Sequence, residues 1–331
     1  MNNQKVAFFR LAVLIFTLIS LTSFSDGARA QAEVPPVKPG DGPAKVVDRR
    51  PLIVLVPGFF NSLSIEPDFA DIITRTINGR GLDVITVDNL LSIGTVEQNG
   101  ARLDRFLSQT AERFPGRSMI LLAHSAGGLY ALQALTNHPD LPVQTLVSIA
   151  TPWRGIEFVD HLTGSVPGLD SLAAFLKLEG LRQFASSKMN RVLSKFVVPP
   201  DLRVISLAGF QKSCSIIDCA RSEKLSWILT IAQSMMSHPS DGVVTVGSAL
   251  GEGIELKRTN GDRLEIEHWD DFVIPLEHWE IVQESRLFLL LGVANIGHVS
   301  RVQVRTFNSI LDRLDDEITS SRPKQLSQQG L

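Results

Sequence analysis

The chain has 331 residues, of which 44% are hydrophobic and 20% charged, and its formal net charge is -3. This is an ordinary globular composition with enough apolar residues for one large core. It leaves no strong field to draw nucleic acid or an acidic membrane surface.

In chain order, Lys5 and Arg10 precede the apolar run LAVLIFTLISLTSF, which is followed by the small-x-small ending Ala28-Arg29-Ala30. A charged start, a short apolar stretch and such an ending predict a secretory signal over 1–30, cleaved after Ala30. The run is short for a membrane span, which needs about 20 apolar residues. Export follows, to a periplasm or beyond the cell. Residues 31–50 carry four prolines and no periodicity, and are expected to be an extended linker. PLIVLVP is the first strand, apolar on both faces as in a parallel sheet. EPDFADIITRTI has helical spacing, LDVITVD reads as a strand, and TVEQNGARLDRFLSQTAERF is an amphipathic helix with Leu103, Phe106, Leu107 and Phe114 on its apolar face. SMILLA, GGLYALQAL and PVQTLVSIA continue as strand, helix and strand. This alternation predicts an α/β fold with a doubly wound, mostly parallel sheet over 51–318. It pauses at 153–198, where helical spacing without a strand-like run suggests a helical cap, and resumes with LRVISLAG. Asn260-Gly261 between two alternating segments signals a hairpin. A closing helix is expected from near Trp279, and 319–331 is expected to be a flexible tail.

One stretch of that map carries chemistry. Ala-His-Ser-Ala-Gly-Gly (123–128) lies where SMILLA meets GGLYALQAL. A serine on so tight a strand-to-helix turn projects at the carboxyl end of the sheet, where ligands bind in this architecture. Its neighbours two before and two after must be small, and they are Ala123 and Gly127. Ser125 is the candidate nucleophile. A serine hydroxyl needs a base, and the base an orienting acid, in the order serine, acid, histidine. Asp241 in SHPSDGVVTVGSA, after a turn-rich segment and ahead of a strand-like run, is the candidate acid, with Asp218 and Asp201 as weaker rivals. His278, ahead of the closing helix, is the candidate base, with His268 as the alternative. Oxyanion donors are expected from the backbone N–H groups of Ala126 and of Phe59 in VPGFFNS, where Gly58 permits close approach. Phe60, His124 and Trp153 are candidate substrate contacts. Cys214 and Cys219, enclosing only the four residues SIID in an exported chain, are expected to pair as a structural loop clip.

Together VPGFFNS, LLAHSAGG, IATPWRG, DGVVTVGSA and EHWEIV resemble an α/β-hydrolase of the lipase/esterase branch, over residues 51–291. They are nearest in flavour to bacterial triacylglycerol lipases and to GPI-inositol-deacylase-like hydrolases. Pro57 stands where many lipases have His, and Ala123 replaces the first Gly of the elbow. The resemblance implies hydrolysis of a small-molecule or lipid ester through an acyl-enzyme, and transient contact with a lipid interface. One lipase branch carries a structural calcium, but no acidic cluster here argues for one, Asp270-Asp271 being the nearest to it, and no cofactor or metal is expected. Leu169, Leu172, Phe175, Leu176 and Leu181 give the cap an apolar face that either meets an acyl chain or packs the cap onto the sheet. An acyltransferase with the same triad, a peptidase, and a catalytically silent lipid- or partner-binding protein stay open as alternatives.

Overall fold

The computed structural model describes residues 50–59, 80–157, 159–160, 179–210, 239–276 and 296–315, with positions 73, 76, 77, 236, 278, 281 and 318. They belong to the unit Arg49–Leu331. Its centre is a six-stranded sheet in the order β2-β1-β3-β4-β6-β9. The strands are β1 (Leu52–Val56), β2 (Val84–Thr86), β3 (Met119–His124), β4 (Val143–Ile149), β6 (Arg203–Gly209) and β9 (Glu267–Ile274). Every pairing in this sheet is parallel, as the unbroken apolar runs predict.

Both faces of the sheet are covered, and β1 shows how. Leu52, Val54 and Val56 enter one buried cluster, while Ile53 and Leu55 enter the other. Helices α1 (Val96–Arg113) and α2 (Gly127–Asn137) cover the first face with Leu103, Leu107, Leu129, Leu132 and Leu135. The second face is closed by Phe307, Ile310 and Leu311 of α6 (Ile296–Arg313), with Ile73 and Ile77. Helix α1 starts at a capping box. The Thr95 hydroxyl accepts from the Gln98 backbone N–H at 3.2 Å, and the Gln98 side-chain Oε1 accepts from the Thr95 N–H at 3.0 Å.

Within the range expected to form the cap, the described helices are α3 (Glu179–Arg182) and α4 (Ser186–Leu193). The expectation of no strand there needs one correction. Val197–Val198 form β5, two residues long and so too short to show a period, paired with β7 (Glu255–Arg258). β7 and β8 (Arg263–Glu265) are the antiparallel hairpin signalled by Asn260-Gly261, and Gly261 takes φ +92° in its turn. The strand-like reading of DGVVTVGSA fails. Thr245 instead caps helix α5 (Val246–Leu250), its hydroxyl accepting from the Ser248 N–H, and Gly251 ends the helix at φ +66°. Residues 1–49, the cap residues 161–178, Phe60, Cys214, Cys219, Trp279 and the tail 319–331 lie outside the described residues. The signal, linker, loop-clip and closing-helix expectations fall on them.

Candidate active site

Strand β3 and helix α2 meet at Ser125, which takes the left-handed φ of +55°. A non-glycine residue there is strained by about 1–3 kcal/mol, so its surroundings must hold it. Several groups do. The Ser125 N–H donates to the Ile149 carbonyl at 2.8 Å, and the Ser125 carbonyl accepts from the Thr151 hydroxyl at 2.8 Å. The turn has no room for larger neighbours. A Cβ on Gly127 would lie 2.5 Å from the Val56 carbonyl oxygen. One on Gly58 would lie 2.7 Å from Ser125 Cβ, 2.8 Å from the His124 carbonyl oxygen and 3.3 Å from the Ala126 nitrogen. The chain after β1 therefore runs directly against the serine, as close approach of an oxyanion loop requires.

Asp241 follows β6 and is fully buried. A buried carboxylate needs donors on both oxygens. Its Oδ1 accepts from the N–H groups of Val243 at 2.9 Å and Val244 at 2.7 Å, and its Oδ2 lies 2.7 Å from His278 Nδ1. Gly209, at the end of β6, makes space: a Cβ there would lie 3.0 Å from Asp241 Cβ. His278 is 3% exposed, and its Nε2 lies 2.8 Å from the hydroxyl of Ser125, which is 8% exposed. A carboxylate only accepts, so Nδ1 carries the proton of the neutral ring and Nε2 is left to accept from the serine. The structure thus brings Ser125, His278 and Asp241 into one hydrogen-bonded line, each from beyond the carboxyl end of a different strand.

The other site expectations separate. His268 sits on β9 opposite Ser206, part of a strand that the sequence reading did not find. Of the oxyanion candidates, Ala126 begins the turn into α2, and the Phe59 ring stands edge-on to Phe184 at 5.7 Å. Trp153 is not brought to the serine. Its side chain is 0% exposed, and its indole N–H donates to Ser206 Oγ at 2.7 Å, deep in the first-face core. His124 is 4% exposed, and its Nε2–H donates to the His278 carbonyl at 2.9 Å. Burial, reinforced by the neighbouring His278 imidazole, holds its pKa well below the usual histidine value.

No protein-family model matches the chain. It is 22% identical over 203 residues to triacylglycerol lipase 2 of Saccharomyces cerevisiae, a stretch covering 60% of this chain and 61% of that relative. Among solved structures it is similar to the metagenomic carboxyl esterase MGS0156, at 19% identity and a TM-score of 0.60, with 91% of each chain covered. It is also similar to the mature lipase BlEst2 of Bacillus licheniformis, at 22% identity and a TM-score of 0.53, covering 78% of this chain and 94% of that one. The lipase of Staphylococcus hyicus gives a TM-score of 0.54 at 12% identity, with 87% and 100% covered. At these identities the likeness to the solved structures is one of fold.

Proposed function

This chain has the α/β-hydrolase fold, and we propose that it hydrolyses carboxylic esters through an acyl-enzyme on Ser125. The observation that carries the reading is the line from Asp241 through His278 to Ser125, at 2.7 and 2.8 Å. In this reading Ser125 Oγ attacks the ester carbonyl carbon while its proton passes to His278 Nε2. The oxyanion that forms is met by the N–H groups of Ala126 and Phe59. His278 returns the proton to the leaving alkoxide as the ester C–O bond breaks, leaving the acyl group on Ser125. Water then attacks the acyl carbon, giving its proton to His278, and the carboxylic acid leaves as Ser125 recovers its hydrogen. The Asp241 carboxylate accepts from His278 Nδ1–H and balances the imidazolium in both halves.

The relatives named as lipases and esterases support an ester substrate, and the apolar positions of the expected cap support an acyl chain. Export, read from residues 1–30, belongs to the same proposal. No helix among the described residues is long and apolar enough to cross a membrane.

The test is labelling with a fluorophosphonate, located by mass spectrometry, beside turnover of p-nitrophenyl esters of rising acyl length. Labelling at Ser125 that Ser125→Ala abolishes, with turnover of His278→Ala reduced by about 10³-fold or more, is the expected result. A folded wild-type protein that neither labels nor turns over any of these esters overturns the reading. Transfer of the acyl group to an added alcohol in preference to water selects the acyltransferase alternative.

A further inference from the structure

The base residue of this site is held at more points than its triad hydrogen bonds provide. His278 donates its backbone N–H to the Asp241 carbonyl at 3.0 Å, and its backbone carbonyl accepts from His124 Nε2–H at 2.9 Å. The backbone on both sides of the base is therefore tied to residues that flank or form the rest of the site. The two rings also touch: their centroids are 4.7 Å apart with the planes inclined at 45°. His124 adjoins Ser125, so this contact runs from the strand end that carries the nucleophile to the residue that must receive its proton.

We propose that His124, which the sequence reading placed with the substrate contacts, is a positioning residue for His278. Its ring limits the tilt of the His278 imidazole, and its Nε2–H fixes the height of residue 278 above the serine. A carbonyl can only accept, so the neutral ring must be the tautomer protonated on Nε2. Burial keeps the ring neutral, since a cation there would lose its hydration and meet the imidazolium that forms on His278 during acyl transfer. The proposal rests on the serine-hydrolase reading for its kinetic consequence, whereas the hydrogen bond itself stands without it.

The size of the effect follows from geometry. A displacement of about 1 Å in a catalytic group costs on the order of 100-fold in rate, so losing one of the backbone ties should cost about 10- to 100-fold. His124→Phe keeps a ring and removes the donor. His124→Gln keeps a donor at a similar reach.

The experiment measures fluorophosphonate labelling rates and steady-state ester hydrolysis for the wild type, His124→Phe, His124→Leu and His124→Gln, with unfolding curves for each. In parallel, nitrogen NMR of ¹⁵N-histidine-labelled wild-type protein reads the His124 tautomer. The expected result is a kcat lower by about 10- to 100-fold in the Phe and Leu variants, KM within about twofold, and most of the loss recovered in Gln. The His124 ring should be neutral with its proton on Nε2. A proton on Nδ1 overturns the proposal even if every variant fails to fold. So does wild-type kcat in folded His124→Phe, or a raised KM at unchanged kcat, which returns His124 to the substrate contacts. If the wild type does not label at all, the hydrolase reading falls, and the tautomer alone decides whether His124 holds residue 278.

Discussion

His124 carries its burial at a cost that depends on pH. In the folded protein its pKa lies well below 6.5 because burial disfavours the cation, with the nearby His278 adding to the effect. Unfolded, the same ring titrates near about 6.5. Below that pH the unfolded chain takes up a proton that the folded chain does not, so this residue makes the fold less stable as pH falls towards the folded pKa. Above it both states hold a neutral ring, and the residue contributes no slope. His124→Gln has nothing to titrate. Denaturant unfolding between about pH 7.5 and pH 5 should show the wild type losing stability towards acid more steeply than His124→Gln, by up to about 1.4 kcal/mol per pH unit. Equal slopes would mean that the folded ring accepts the proton as readily as the unfolded one.

The strand-to-helix turn is the element on which the site is built. Ala123 and Gly127 could be read as elbow positions from sequence because the spacing of small residues about the serine is local, although the backbone that Gly127 must clear belongs to the end of β1 and the residue after it. The constraint can be tested by size. A Cβ on Gly127 meets the carbonyl oxygens of Val56 at 2.5 Å and Pro57 at 3.0 Å, backbone atoms that cannot rotate away. Gly127→Ala should therefore push β1 and the loop after it off the serine, destabilising the fold by about 1–3 kcal/mol and suppressing fluorophosphonate labelling. Gly247, in α5, is the control: a Cβ there meets nothing within 4 Å, and Gly247→Ala should leave labelling and the unfolding midpoint nearly as they are. Full labelling of a stable Gly127→Ala would remove the steric account of the elbow. Elements with distant causes were harder to read. EHWDDFVI looks like surface because of its charges, yet it forms β9 against β6, about sixty residues earlier. VVTV looks like a strand for a local reason instead: its β-branched run hides a cap, the Thr245 hydroxyl that accepts from the Ser248 N–H and starts a helix.

Across the whole molecule, the parallel sheet gathers Ser125, Asp241 and His278 from positions up to 153 residues apart. Their order along the chain was legible from the serine, acid, histidine order of this architecture, although the strand ahead of His278 was not. Which side chains turn inward was not, and Trp153 is the instructive case. An aromatic after Thr151-Pro152 reads the same whether it faces substrate or core, and what decides is Ser206, 53 residues away. There the indole N–H joins a buried chain in which Ser206 Oγ also pairs with Ser148 Oγ at 2.8 Å. The ring lies against Gly251 as well, where a Cβ would approach Trp153 Cδ1 to 2.9 Å. Trp153 thus ties the loop after β4 to β6 and to the end of α5, and none of the triad's hydrogen bonds runs through it. Trp153→Phe removes one buried donor and part of a large ring, which should cost about 1–4 kcal/mol of stability. Since β3, β6 and β9 still converge on the same end of the sheet, KM across the series of p-nitrophenyl esters should be unchanged in the folded variant. A KM that rises selectively with acyl length, at wild-type stability, would return Trp153 to the substrate and take it out of the core.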